Sequence, residues 1–245
     1  MNSADTVVVI GGSSGMGLAV ARRCLSGGAS VVIVGRSAER LETARAELAC
    51  AELAGTGRLR AMAADIGDRA QVTALFERTG TVRHVVVTAA DLPYGPVASL
   101  TEDSVMRAVR SKFLGPFFTA QQAAPRMTAG GSITFTTGIA AYRPAPGGAL
   151  AASVNGALES MVRALALELA PIRVNAVSPG WVDTPVWDQL ATPADKQARL
   201  SDMAARLPAR RIGEPADIAN AISYLIEDDF VTGTVLHAEG GQLLV

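Results

Sequence analysis

The stretch Val7-Val8-Val9-Ile10-Gly11-Gly12-Ser13-Ser14-Gly15-Met16-Gly17 carries the clearest chemistry in the chain. An apolar β-branched run meets a glycine-rich turn, and a helix-like segment, Leu18 to Leu25, follows. That order predicts a buried strand, a tight turn and the start of a helix. Glycine lets the backbone turn sharply and approach a ligand, because no Cβ stands in the way. Free N–H groups and the dipole at the helix start then favour a phosphate. The chemistry predicted is recognition of a dinucleotide pyrophosphate. The plain alternative is a strand-to-helix connection that holds no ligand. Other reactive side chains are few. His84 and His237 lie on strand-like segments and fit no metal motif, and no metal site is expected. Cys24 and Cys50 also lack metal spacing and read as reduced thiols, which suits a cytoplasmic protein.

A turn of this kind needs a sheet behind it. Strand-like runs alternate with helical ones along the whole chain. Strands are predicted at Ser30 to Val34, Leu59 to Ala63, His84 to Thr88, Ser132 to Thr137, Ile172 to Ser178 and Thr234 to Ala238. Helices are predicted at Ala38 to Ala54 behind a Ser37 cap, from Asp68 to about Arg78, and from Thr101 to about Met127, where Gly130-Gly131 breaks the run. Further helices are predicted at Ala149 to Leu169 and Pro215 to Ile226, with short helices over Pro193 to Leu207. Strict alternation implies a parallel sheet covered on both faces, hence an α/β, doubly wound fold. No repeat or linker divides the chain, so one domain spanning 1–245 is expected.

Bulk composition narrows the partners. The chain has 245 residues, of which 49% are hydrophobic, enough for a sizeable core. Lys plus Arg is 22 against 23 Asp plus Glu, a net charge of −1. No basic field exists to hold nucleic acid or an anionic membrane. No signal-like segment opens the chain, and no apolar run has the roughly 18 residues a membrane span needs.

Several stretches resemble the short-chain dehydrogenase/reductase family. They are Gly11 to Gly17, Arg173-Val174-Asn175-Ala176-Val177-Ser178-Pro179-Gly180, Arg211-Ile212-Gly213-Glu214-Pro215, and Val231-Thr232-Gly233 with Glu239-Gly240-Gly241. The resemblance implies a seven-stranded Rossmann-like sheet, an NAD(P)(H) cofactor, hydride transfer to a small molecule, and assembly as a homodimer or homotetramer. It assigns Gly11, Ser13, Ser14, Gly15, Met16 and Gly17 to the pyrophosphate turn. Arg36, beside Ser37 and after the second strand, stands where an acidic residue would bind a ribose 2′-hydroxyl. An arginine pairs instead with a 2′-phosphate, so NADP(H) is expected over NAD(H). Asp65 and Ile66 match the adenine contact, although Asp65 also reads as a helix cap. Pro179, Gly180, Val182 and Thr184 match the stretch that holds the nicotinamide carboxamide. Residues 185–210 correspond to a substrate lid, with Trp181 and Trp187 either walling an apolar substrate or buttressing the lid.

The catalytic half departs from the family pattern, which implies a Ser, a Tyr, a Lys four residues after the Tyr, and an Asn on the preceding helix. In the register set by Gly156-Ala157-Leu158-Glu159 and Pro179-Gly180, the Tyr position falls on Ala151 and the Lys position on Asn155. The Ser position falls on Gly138, after Thr136 and Thr137, and the Asn position on Lys112. Lysine and asparagine thus look exchanged between facing helices, with the phenol gone. The Asn-Asn-Ala-Gly that braces the cofactor reads Thr88-Ala89-Ala90-Asp91, which puts a carboxylate near the mouth of the cleft.

The candidate catalytic set is therefore Lys112, Thr137, Asn155, Tyr142 and Asp91. Lys112 could act as a cation or, if desolvated, as a tuned acid. Thr137 could hydrogen-bond a substrate oxygen, and Asn155 could orient water, ribose or substrate. Tyr142 reads either as an acid from the loop after the fifth strand or as an aromatic covering the core. Asp91 reads either as a cap or as an anion that attracts a cationic substrate. Three functions follow: a reductase of C=O or C=N bonds that needs no tyrosine acid, a cofactor-binding protein without catalysis, and a cyclase or isomerase reusing the cleft.

Overall fold

The computed structural model describes residues 5–49, 57–189 and 192–245. Seven strands form one sheet in the order β3-β2-β1-β4-β5-β6-β7. They are β1 (Thr6–Ile10), β2 (Ser30–Gly35), β3 (Leu59–Ala63), β4 (Val82–Val87), β5 (Met127–Thr136), β6 (Arg173–Pro179) and β7 (Val235–Ala238). Every pairing is parallel. The order reverses between β1 and β4, which opens a crevice beyond the carboxyl ends of those strands. The expected doubly wound α/β architecture is present.

Side-chain alternation along the strands builds two cores. Val8 and Ile10 face one side with Val85, Val87, Ile133 and Phe135, under α3 (Arg69–Thr79), α5 (Gly115–Ala123) and α6 (Ala149–Glu168). Val7 and Val9 face the other side, under α1 (Gly15–Ser26), α2 (Ala38–Leu48) and α8 (Pro215–Glu227). Because both faces are covered, the central strand β1 and its neighbour β2 read as continuous apolar runs, Val7 to Ile10 and Val31 to Val34. Each buried Val or Ile contributes roughly 1.5–3 kcal/mol. The predicted helix beyond Leu48 runs into residues 50–56, which include Cys50 and lie outside the described set.

Three expectations are corrected. The helix predicted from Thr101 to Met127 is not continuous. Thr101 caps α4 (Glu102–Val109) by accepting the Ser104 N–H, a π turn spans Arg110–Leu114, and α5 follows. The Gly115 N–H reaches the Arg110 carbonyl, five residues back. Pro116 explains the widening. It has no N–H to give, and its ring would press on the carbonyl four residues earlier in a regular helix. Next, Gly130-Gly131 does not break a helix; it lies inside β5. The ladder with β4 shifts register between Val82 and His84, and Gly130 takes φ +73°. A Cβ on Gly131 would lie 2.5 Å from the Arg83 carbonyl oxygen, so this is a bulge that only glycine fits. Finally, Pro193 to Leu207 holds one helix, α7 (Pro193–Arg206), where short helices were expected. Thr192 caps it, and Leu200 and Leu207 anchor it in the core.

Candidate active site

The turn between β1 and α1 is shaped by contacts that exclude side chains. Gly11 has φ +88°, and a Cβ there would lie 2.7 Å from the Ala89 nitrogen. A Cβ on Gly17 would stand 2.2 Å from the Gly11 carbonyl oxygen. Glycine is therefore required where the turn closes on the helix. Ser14 is the N-cap of α1, yet its side chain makes no capping bond. Its hydroxyl instead accepts from Arg40 at 3.0 Å. The amides of the first turn are left to an outside acceptor, which is the arrangement a pyrophosphate needs. Across the crevice, a Cβ on Gly15 would touch Thr184 at 3.4 Å, so the loop after β6 faces the glycine turn. That loop is pinned: Val182 pairs with Gly213, and the Asp183 N–H donates to the Gly213 carbonyl at 2.9 Å. Pro179 and Gly180 precede it, and the Gly180 N–H donates to Ala238 at 3.2 Å. The residues present thus fit a dinucleotide.

The residues that the resemblance assigns to the adenosine side lie around the ends of β2 and β3. Ser13 lies against Gly35, and Ser37 caps α2 by accepting the Arg40 N–H at 3.2 Å. The Asp65 carboxylate accepts the Gly67 N–H at 2.8 Å, a local turn, while Ile66 is buried against Gly115. Met16 is half-buried against the core, as is Ala89 beside the turn, while Ala90 is exposed. The Asp91 carboxylate, read as a cap or as an anion near the mouth of the cleft, pairs with Arg36 at 3.2 Å and reaches Arg107 at 4.0 Å. The backbone of Asp91 is clamped by Ser111, whose hydroxyl accepts its N–H at 3.0 Å, so the carboxylate is held on the Arg36 side.

Lys112, Thr137 and Asn155 converge. Lys112 sits in the π turn and is 3% exposed. Its Nζ donates to the Thr137 carbonyl at 3.3 Å. Burial lowers its pKa from 10.5 to about 8, because the charged form loses its hydration. Asn155, on α6, arrives at the next residue: a Cβ on Gly138 would lie 3.0 Å from its Nδ2. The buried Oδ1 of Asn155 has no protein partner. Two helices therefore aim a lysine and an amide at the Thr137–Gly138 peptide. The Thr137 hydroxyl turns toward the Val177 carbonyl at 3.4 Å. Ala151, one turn before Asn155 on α6, is buried.

Tyr142 stands apart from this trio. Its hydroxyl donates to Glu159 at 2.6 Å, and its ring stacks edge-on with His237 at 4.7 Å. Desolvation and the Glu159 carboxylate push its pKa up to about 12, away from what an acid near neutral pH needs. Trp181 and Trp187 stack on one another with centroids 4.7 Å apart, and Trp187 Nε1 donates to the Val182 carbonyl. The lid is tied to this loop by Lys196 on α7, which bridges Asp183 at 2.9 Å and Asp188 at 3.0 Å. A cavity of about 210 Å³ lined by Asp5, Arg83, His84 and Arg173 opens at the other end of the strands, away from the glycine turn.

Sequence reasoning missed Arg40, Ser111 and Glu159. Arg40 lies in the first turn of α2, three residues after the Ser37 cap, and that position was the available signal. Glu159 likewise follows Asn155 by four. Ser111 carried no signal, because its role depends on the π turn. The signature stretch from Arg173 proves to be a brace. Arg173 donates to the Leu225 and Ile226 carbonyls at 2.6 and 2.9 Å, and Asn175 Nδ2 to the Val231 carbonyl at 2.8 Å. Among the described residues, no group of His, Cys, Asp and Glu could hold a metal, and no helix is long and apolar enough to cross a membrane.

The profile of the family described as enoyl-(acyl carrier protein) reductase matches residues 11–242. The short-chain dehydrogenase/reductase ATR9 of Stachybotrys chlorohalonatus is 32% identical over 98% of this chain and 97% of its own. Among solved structures, the MalC reductase/Diels-Alderase of Malbranchea aurantiaca superposes with a TM-score of 0.91 and 31% identity, over 98% of this chain and 97% of that one. An NADPH-bound short-chain oxidoreductase of Pseudomonas aeruginosa PAO1, described as containing an atypical catalytic center, gives a TM-score of 0.90 and 28% identity over the same shares. The glycine turn, the sheet order and these likenesses agree: the chain belongs to the short-chain dehydrogenase/reductase family of oxidoreductases.

Proposed function

We propose that the protein is an NADP(H)-dependent reductase of small apolar or cyclic carbonyl compounds, in which Lys112 takes the part of the family's tyrosine acid. The observation that carries this reading is the buried Lys112 Nζ, 3.3 Å from the Thr137 carbonyl, on the peptide that Asn155 approaches from α6. The Gly11–Gly17 turn would hold the pyrophosphate. Arg36, Arg40, Ser14 and Ser37 would meet a 2′-phosphate, and Pro179, Gly180, Val182 and Thr184 the carboxamide end. The cofactor, when bound, supplies the hydride. What the chain must add is a proton for the oxygen, which gains negative charge as the carbonyl carbon is reduced. An ammonium with a pKa of about 8 is mostly charged at neutral pH and close enough to neutrality to give that proton up. The NADPH-bound Pseudomonas relative with its atypical center supports both the cofactor and the unusual site.

A cationic C=N substrate fits less well. It needs no proton donor, but Asp91, the carboxylate that would attract it, is engaged by Arg36, while Lys112 would repel it. The two substrate classes therefore separate by pH. Carbonyl reduction should fall as pH rises through about 8 and Lys112 loses its proton. Reduction of a permanently charged cyclic iminium should rise over the same range. The experiment follows NADPH absorbance with panels of ketones, quinones and cyclic imines between pH 6 and 10, for wild type and Lys112→Met. Loss of at least tenfold in kcat on carbonyls in the variant supports the reading. A flat pH profile shared by both proteins overturns it. The likeness to a reductase/Diels-Alderase favours one second reading, a cyclisation in the same cleft; product formation without NADPH consumption would identify it. NADPH bound with no turnover in either assay would identify a binding protein without catalysis. We also place the chain in a homodimer or homotetramer, the habit of its family.

A further inference from the structure

We infer that Asp91 is a nucleotide-specificity residue: an internal carboxylate that occupies the guanidinium meant for the 2′-phosphate and so narrows the preference between NADPH and NADH. The inference rests on the NADP(H) reading and refines it. Asp91 Oδ2 accepts from Arg36 Nη1 at 3.2 Å, and Oδ1 lies 4.0 Å from Arg107 Nη1. The Asp91 side chain is 26% exposed while Arg36 is 65% exposed, so the carboxylate is the sheltered partner and the arginine the one open to solvent. Its backbone cannot swing away, because Ser111 accepts the Asp91 N–H and donates to its carbonyl or to that of Ala108. Ala89, on the same loop, meets the glycine turn at Gly11. The carboxylate is therefore built into the wall of the nucleotide crevice.

Charge then decides what each nucleotide meets. A 2′-phosphate brings nearly two negative charges. It must draw Arg36 away from Asp91 and then lie near a carboxylate it repels, with Arg40 and Arg107 offsetting part of that cost. A ribose bearing a free 2′-hydroxyl is a hydrogen-bond donor, and a carboxylate is the acceptor it wants. Arg36 therefore favours NADPH and Asp91 favours NADH from the same few ångströms of surface. Because the pair is partly exposed, its strength is that of a surface ion pair, and removing the competing charge should change affinity by about fivefold at most.

The test measures binding, with no substrate present. Dissociation constants for NADPH, NADH and 2′,5′-ADP are determined by calorimetry for wild type, Asp91→Asn, Arg36→Ala and the double variant, with Tm checked for each. Asp91→Asn keeps the shape and removes the charge. It should tighten NADPH and 2′,5′-ADP by about three- to fivefold and weaken NADH, and the gain for NADPH should vanish in the double variant. Unchanged affinities in Asp91→Asn, in a protein that still prefers NADPH and loses that preference in Arg36→Ala, overturn the role of Asp91 alone. A wild type that binds 2′,5′-ADP no better than 5′-ADP, with Arg36→Ala silent, overturns the NADP(H) reading beneath it and the inference with it.

Discussion

Lys112 holds a charge where the fold gives it little hydration, and that has a thermodynamic signature separate from catalysis. Its pKa is about 8 in the folded chain against 10.5 for a free side chain. Between those values the unfolded chain binds more protons than the folded one, so stability rises with pH from about 8 to 10.5. Below pH 8 the full cost of burying the ammonium applies, on the order of 3 kcal/mol at 1.36 kcal/mol per decade. Lys112→Met should therefore be more stable than wild type at pH 7, and the gap should close toward pH 10. Urea unfolding of the two proteins at pH 7 and 9.5 measures it. A gap of constant size would mean that the amine finds charge compensation in the fold. Tyr142 shows the contrasting case: a hydroxyl that donates to the Glu159 carboxylate.

At the level of elements, two short devices set the geometry. The π turn at Arg110–Leu114 places neighbouring side chains in different parts of the crevice: Ser111 clamps Asp91 on the nucleotide side, and Lys112 reaches Thr137 on the reaction side. A regular helix would have to accommodate Pro116 some other way, and this pairing of directions would be lost. The second device is the close approach of Gly17 to Gly11. Gly17→Ala adds one methyl group to a site where its nearest neighbour would be 2.2 Å away. The turn must open, so nucleotide affinity should fall by at least tenfold, with Tm lowered by several degrees. Fluorescence titration with NADPH and a thermal melt check it. Wild-type affinity in that variant would place the nucleotide elsewhere.

For the whole molecule, the apolar surface bears on assembly. Phe230 is 94% exposed and Leu167 83% exposed. The segments that carry them meet, because Ala166 packs beside Gly233. A homo-oligomer would cover such side chains. Light scattering coupled to size-exclusion chromatography should give two or four times the 25.3 kDa chain mass, and Phe230→Asp should shift the population toward smaller species if this face is one of the contacts. A monomer at micromolar concentration would count against the assembly.

What the sequence by itself determined was the periodic and local part. Alternating apolar runs gave the sheet and its helices, because a strand buried on both faces must be apolar throughout. Val7 to Gly17 gave the nucleotide turn, because only glycine tolerates that backbone and those approaches. The register of α6 gave Asn155, and spacing within one helix is a property of the chain alone. Tertiary structure decided what depends on distant segments meeting. Thr101 to about Met127 reads as a single helix, whereas the structure widens it into a π turn before Pro116, where Gly115 lies close against Ile66 from a distant segment. Gly130-Gly131 reads as a stop until Arg83 comes within touching distance. Asp91 reads either as a cap or as an anion for a substrate, and only the fold shows its carboxylate paired with Arg36, fifty-five residues away. Charges and bulges take their meaning from neighbours across the fold, and no local pattern records who those neighbours are.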